Sequence, residues 1–283
     1  MREELYLNFN GKMLKNEKPL IFHDNRSFRY GDGCFETMKL MNGKIILEPF
    51  HLERLFTSLQ LLQFNKPNFF ITDDFLMQIK EVAKKNQHKK LARVRVTVFR
   101  GNGGLYDTDN HQPNYIIETM DLNSSNNKLN ENGLVMDIFK DARRAFDKFS
   151  PIKSNNYLPY VMAAMWAKEN KLNDALILNA HDRIADATIA NVFIIKDGMI
   201  QTPALTEACV GGVMRKYLLK RLKEENYSVQ ETSITVDDIL NASEVFLTNA
   251  IYGIRWVKEL GKSNYKKQLS EVLYKKIVAP NFL

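Results

Sequence analysis

Lys153 stands in the run S-P-I-K-S-N-N-Y-L-P-Y, among asparagines and other polar residues and directly before a helix-like stretch, 158–170. A lysine placed there can be held as an internal Schiff base with a carbonyl cofactor, although a solvated surface lysine has the same local sequence. Arg54, in H-L-E-R-L, falls between apolar positions on the flank of an amphipathic segment, where a solvated helix arginine is the bland alternative. Gly211-Gly212-Val213-Met214-Arg215 opens a helix directly after a loop. Such a start points free backbone N–H groups and the positive end of the helix dipole at an anion, or is a plain turn. Asp186, in R-I-A-D-A-T-I-A-N-V-F, precedes a strand and reads equally as a turn or cap. Thr248-Asn249-Ala250 closes a strand with small residues and reads otherwise as an exposed strand end.

The elements that must position these residues alternate between short strands and helices. Asn10-Gly11 and Asn42-Gly43 predict two tight hairpins. Residues 50–63 place Leu52, Leu55, Phe56, Leu59 and Leu62 on one helical face, and a second helix is expected over 73–86. Residues 91–99 and 115–118 read as buried strands. The polar stretch D-L-N-S-S-N-N-K-L-N-E-N, 121–132, is the best linker candidate. Beyond it, strands are expected at 135–139, 175–178, 192–195 and 199–201. A basic amphipathic helix then runs from Gly212 to about residue 226, and 244–247 is a final core strand. The reading is α+β with two domains, a small one over 1–120 and a larger one over 133–283, joined by the linker, with the cleft between them the default site.

Composition narrows the class. The chain has 283 residues, 45% of them apolar and 26% charged, enough to bury a substantial core. A formal charge of +7 arises from 40 basic and 33 acidic residues whose lysines are scattered. That falls short of a nucleic-acid footprint but favours anionic small molecules. Cys34 and Cys209 are far apart, with no spacing for a disulfide framework or a zinc site, so no metal is expected. The start M-R-E-E-L-Y lacks a signal-peptide core, and no apolar run suits a membrane span. A soluble cytoplasmic protein is expected.

Seven motifs, in order, carry a resemblance. They are D-N-R-S-F-R-Y-G-D-G-C-F-E-T (24–37), H-L-E-R-L (51–55), V-R-V-T-V-F-R-G (94–101), I-K-S-N-N-Y (152–157), D-A-T-I-A-N-V-F (186–193), G-G-V-M-R (211–215) and F-L-T-N-A (246–250). Together they resemble the fold type IV pyridoxal-phosphate enzymes: branched-chain aminotransferases, D-amino-acid aminotransferases and 4-amino-4-deoxychorismate lyases. The resemblance implies a small N-terminal α/β domain, a larger barrel-like C-terminal domain, pyridoxal 5'-phosphate between them, and a homodimer acting on a small-molecule amino substrate. It implies that Lys153 carries the cofactor and moves the proton, and that Arg54 grips the phosphate with its guanidinium fork. By the same resemblance the amides of Val213 and Met214 bind that phosphate, and Ala250 lies beside it. Tyr157 would reach the cofactor's phenolic oxygen, although the family's tyrosine comes one position later.

Two departures bear on function. Asp186 stands where the family has glutamate to keep the ring nitrogen protonated, and it is shorter by one methylene. Pairing then needs a shift of about 1 Å in cofactor or strand. Met214 and Ala250 replace phosphate-binding threonines of the aminotransferases, and with G-D-G-C-F they tilt the resemblance toward the lyase, which eliminates pyruvate to leave 4-aminobenzoate. In that reading Thr37 hydrogen-bonds the substrate or the lysine. In the aminotransferase reading, Arg95 and Arg100 are candidates to trap a substrate carboxylate.

Overall fold

The computed structural model describes residues 5–65, 72–107 and 109–282; residues 1–4, which begin the expected leaderless N-terminus, and residue 283, the end of the expected second domain, lie outside the described residues. The chain forms two compact units, Met1–Ser124 with Lys153–Asn156, and Ser125–Ile152 with Tyr157–Leu283. The change of unit falls inside the polar stretch 121–132. That stretch is docked rather than loose: Asn130 exchanges hydrogen bonds of 3.0 Å with the Trp256 backbone, and the Trp256 indole N–H donates to the Asn130 carbonyl at 2.7 Å.

The first unit contains β1 (Tyr6–Phe9), β2 (Lys12–Lys15), α1 (Arg26–Tyr30), β3 (Gly33–Met41), β4 (Lys44–Ile45), α2 (Glu48–Leu61), α3 (Thr72–Lys85), β5 (Leu91–Arg100) and β6 (Pro113–Asp121). These strands form an antiparallel sheet in the order β2-β1-β6-β5-β3-β4. Asn10 and Asn42 take φ of 51° and 49°, as tight Asn-Gly hairpins require. Alternation along β3 and β5 sorts the side chains into two faces. Met38, Leu40, Ala92, Val94, Val96 and Val98 are buried on one, where α2 packs against β3. Each aliphatic side chain so buried contributes about 1.5–3 kcal/mol. Phe35, Thr37, Lys39, Arg93 and Arg95 occupy the other face.

The second unit contains β7 (Leu134–Arg144), α4 (Leu158–Glu169), β8 (Asp174–Asn179), β9 (Ile184–Ala187), β10 (Asn191–Lys196), β11 (Met199–Pro203), α5 (Val213–Glu224), β12 (Val229–Thr232), α6 (Val236–Leu240), β13 (Glu244–Asn249), β14 (Gly253–Leu260), β15 (Ser263–Asn264) and α7 (Leu269–Leu273). Its sheet runs β12-β11-β10-β13-β14-β7-β8-β9, with β15 on β14. The sheet curls into a half-barrel, so that β9, at one end of the order, returns against β10. Met136, Leu176, Ile194, Val245, Val257 and Leu260 fill its interior. This is the α+β architecture read from the sequence, but 244–247 is not the last core strand. β14 follows and is longer, but its G-I-R-W-V-K-E-L mixes cations among apolar residues and so masks the alternation.

Candidate functional site

In the first unit the Lys153 segment is held as a short extra strand. The Phe35 N–H donates to the Lys153 carbonyl at 2.9 Å and the Asn155 N–H to the Gly33 carbonyl at 2.9 Å, while Cys34 and Ser154 form an isolated bridge. The Asn155 amide donates to the Ser27 hydroxyl at 3.0 Å. Gly33 is required by this packing, because a Cβ there would overlap the Val98 carbonyl and the Asn155 amide. The lysine is therefore anchored by its backbone. Lys153 Nζ lies 4.6 Å from the Phe35 ring centroid, and the Arg95 guanidinium lies 3.8 Å from the same centroid. Arg95 also pairs in register with Thr37, so Thr37, Arg95 and Lys153 share one face of this unit.

Arg100 is placed differently. It is buried, paired to Asp32 at 2.9 Å, and donates to the carbonyls of Leu62 and Asn110. Its guanidinium ties a strand end to two loops, so the carboxylate-trap reading narrows to Arg95. Arg54 is likewise engaged. Its Nε and Nη2 donate to the two oxygens of Glu36 at 2.7 and 2.6 Å. His51 Nδ1 meets the same carboxylate at 2.7 Å. Burial pushes Glu36 upward, but the charge and fork of Arg54, with His51, overcome this and hold it down at about 2. Glu36, where the lyase pattern has Thr, and His51, in H-L-E-R-L, were given no role by sequence reasoning; the signal was there, since a carboxylate inside an otherwise apolar strand needs a buried partner. Lys39, two residues beyond Thr37 on its face, was also missed. Burial pushes its amine down to about 7.

In the second unit Asp186 is wholly enclosed. Asn191 Nδ2 donates to its Oδ1 at 2.7 Å, and the Val210 N–H and Tyr160 hydroxyl donate to its Oδ2 at 2.7 and 3.0 Å. Burial raises this carboxyl to about 7, against those donors and the Arg144 charge. Asn191 also donates to the Val210 carbonyl at 2.7 Å, tying Asp186 to the loop before α5. Gly212 caps that helix with no side-chain cap, and a Cβ on it would overlap Asn191 Oδ1. The first-turn amides of α5, including Val213 and Met214, have no intrahelical acceptor, while both side chains are buried. Only the backbone of these two residues can therefore serve an anion. Thr248 pairs in register with Asn191, and its hydroxyl is buried without a partner; Ala250 sits in the turn just beyond. Tyr157 stacks on Tyr160, with ring centroids 4.2 Å apart.

These residues fit pyridoxal 5'-phosphate. An enclosed carboxylate accepts about four hydrogen bonds and Asp186 receives three, which leaves a direction for a ring N–H. An uncapped helix start and an orphaned buried hydroxyl suit a phosphate. Among the described residues no group of His, Cys, Asp and Glu could hold a metal ion, and no helix is long and apolar enough to cross a membrane.

Comparison with known proteins gives the same direction. The chain is 29% identical over 232 residues to an aminodeoxychorismate lyase of Vibrio harveyi, covering 81% of this chain and 83% of that one. It is 26% identical over 247 residues to a D-alanine aminotransferase of Bacillus licheniformis, covering 85% and 83%. Its fold is similar to that of the T.th. branched-chain amino acid aminotransferase with pyridoxamine 5'-phosphate, at a TM-score of 0.86 and 20% identity, covering 99% and 94%. The sequence profile of amino-transferase class IV matches residues 33–260, and the chain belongs to that family.

Proposed function

We propose that this protein is a pyridoxal-phosphate-dependent 4-amino-4-deoxychorismate lyase, eliminating pyruvate to leave 4-aminobenzoate. When bound, the cofactor supplies a carbonyl carbon that captures a primary amine and a ring that accepts electrons. Lys153 would hold the cofactor, and its Nζ would remove the proton from the substrate carbon bearing nitrogen. Asp186 takes the ring N–H. The α5 amides of Val213 and Met214, with Arg54, take the phosphate beside Ala250. Thr37 would orient substrate or lysine, and Tyr157 would hydrogen-bond the cofactor's phenolic oxygen.

The observation that carries the lyase reading is Asp186: a short carboxylate, fully buried and fixed by three hydrogen-bond donors. A carboxylate one methylene shorter than the family's glutamate supports the electron-accepting ring less closely. An elimination that makes an aromatic ring draws driving force from its product and needs less from that support. The replacement of phosphate-binding hydroxyls by Met214 and Ala250 agrees with it, as does the lyase relative. A second reading, a class IV aminotransferase of branched-chain or other amino acids with a 2-oxo acid acceptor, is favoured by Arg95. Its guanidinium shares the Phe35 ring with Lys153, a suitable place for an amino-acid carboxylate.

The test follows pyruvate release from aminodeoxychorismate beside transamination of L- and D-amino acids with 2-oxoglutarate, using cofactor-loaded protein and Lys153→Ala. The lyase reading expects pyruvate release that the variant loses, with negligible transamination. Transamination without pyruvate release would replace it with the second reading. We also infer a homodimer in the cytoplasm. The two buried free thiols support a reducing compartment, and an apolar outer stripe on α4 supports pairing.

A further inference from the structure

We infer that Tyr160 is the positioning residue of the ring-nitrogen site: its hydroxyl fixes the short Asp186 side chain and keeps its carboxylate ionised against the cofactor ring. The inference rests on the reading that Asp186 faces the ring nitrogen. Tyr160 lies in the first turn of α4, is 2% exposed, and donates to Asp186 Oδ2 at 3.0 Å. With Asn191 on Oδ1 and the Val210 amide on Oδ2, three donors from three elements determine the orientation of the carboxylate. The remaining acceptor direction belongs to Oδ1, which takes one bond where Oδ2 takes two. An aspartate reaches less far than a glutamate, so its value depends on being aimed, and Tyr160 supplies the side-chain donor from the helix.

Tyr160 acts as a donor and not as an acid. Burial, reinforced by the charge of Asp186, holds its proton well above the ordinary tyrosine range. The ring is braced by stacking on Tyr157 at 4.2 Å and by the Arg144 guanidinium, 5.2 Å from its centroid. The ionisable groups facing Asp186 are Arg144 from the end of β7, Tyr160 from the first turn of α4, and Cys209 from the loop before α5. Of these only Arg144 carries charge at neutral pH, because the Cys209 thiol is pushed up to about 12 by burial and then by Asp186. Removing the Tyr160 hydroxyl takes away a hydrogen bond to a charged acceptor, which strengthens Asp186's hold on a proton about tenfold or more. A protonated Asp186 no longer pairs with a positive ring nitrogen. The ring then loses its charge, and the nitrogen joining Lys153 to the cofactor holds its own proton more tightly.

The experiment is a pH titration of the visible absorbance of bound pyridoxal 5'-phosphate in wild type, Tyr160→Phe and Asp186→Asn, without substrate. Tyr160→Phe should move the midpoint of the visible band to higher pH by on the order of half a unit, in the same direction as Asp186→Asn. Fluorotyrosine placed at position 160, a stronger donor of the same shape, should move it to lower pH, and this arm holds even if Tyr160→Phe folds poorly. A midpoint that shifts in Asp186→Asn but stays at the wild-type value in both position-160 proteins would overturn the role of Tyr160. A midpoint unmoved in all three would overturn the placement of Asp186 at the ring, and this inference with it.

Discussion

Glu36 holds the Arg54 guanidinium and the His51 imidazole with one buried carboxylate, and its removal has a signed consequence. Glu36→Gln leaves Arg54 and His51 beside a neutral amide in a closed site, which costs about 3 kcal/mol when one partner of a buried pair is deleted. Urea unfolding at pH 7 should show that loss, and the loosened Arg54 should weaken retention of pyridoxal 5'-phosphate roughly tenfold. Because Glu36 is held at about 2, below its ordinary 4.5, its contribution is complete above about pH 4.5 and is lost as pH falls through about 2. The gap between wild type and variant should therefore close across that window. An unchanged urea midpoint together with unchanged cofactor retention would remove Glu36 from the site. At this scale the sequence was most legible where a residue type has few alternatives. Lys153 amid asparagines and Asp186 ahead of N-V-F stood out as candidates from their neighbours, although Asp186 lies inside β9 and not in the turn or cap its sequence suggested. The state of Arg54 and Arg100 was not, because a guanidinium's partner lies far along the chain: Glu36 is 18 residues from Arg54, and Asp32 is 68 from Arg100.

Among the elements, the start of α5 shows how a loop, a strand and a helix are locked together by one glycine. Asn191, at the head of β10, must reach both Asp186 and the Val210 carbonyl, and it passes through the space that a side chain at 212 would fill. Gly212 has φ of −65°, which any residue can adopt, so the requirement is one of space and not of backbone conformation. Gly212→Ala should displace Asn191 and expose Asp186 to misalignment. The expected result is a drop of about 1–3 kcal/mol in unfolding free energy, with at least tenfold weaker cofactor binding by fluorescence titration. Gly211→Ala is the control, since a Cβ there meets only the Pro151 carbonyl and Cβ at 3.4 and 3.8 Å, ordinary contact distances. Equal behaviour of the two variants would show that the crowding at Gly212 is not what matters. The strands and helices themselves were read well where one face is apolar, as in β5 and α2. β9, β12 and β14 escaped because they are short or carry charges on a face that the tertiary fold shields.

At the scale of the whole molecule, α4 is apolar on more sides than one unit can cover. Tyr160, Ala163 and Ala167 pack inward, yet Leu158, Val161, Met162 and Met165 stand 65, 49, 44 and 51% exposed at the i, i+3, i+4, i+7 spacing of a second stripe. A helix that is hydrophobic all round belongs in an interior, and a second copy of the chain would supply the missing wall for the proposed homodimer. A stable pair should bury at least about 1,000 Å² in total, more than these four side chains provide, so the stripe would be the apolar centre of a larger polar-rimmed contact. Val161→Glu with Met165→Glu places two carboxylates in that centre without touching Tyr160 or the inward face. Sedimentation should then find wild type as a dimer at micromolar concentration and the double variant as a folded monomer, with helix content unchanged by circular dichroism. A wild-type monomer, or a variant that still pairs, would mean that α4 is covered by something other than its own kind. Retention of the visible cofactor band by the monomeric variant would further show that Lys153, Asp186 and the α5 amides hold pyridoxal 5'-phosphate within one chain. Loss of that band would assign part of the hold to the partner.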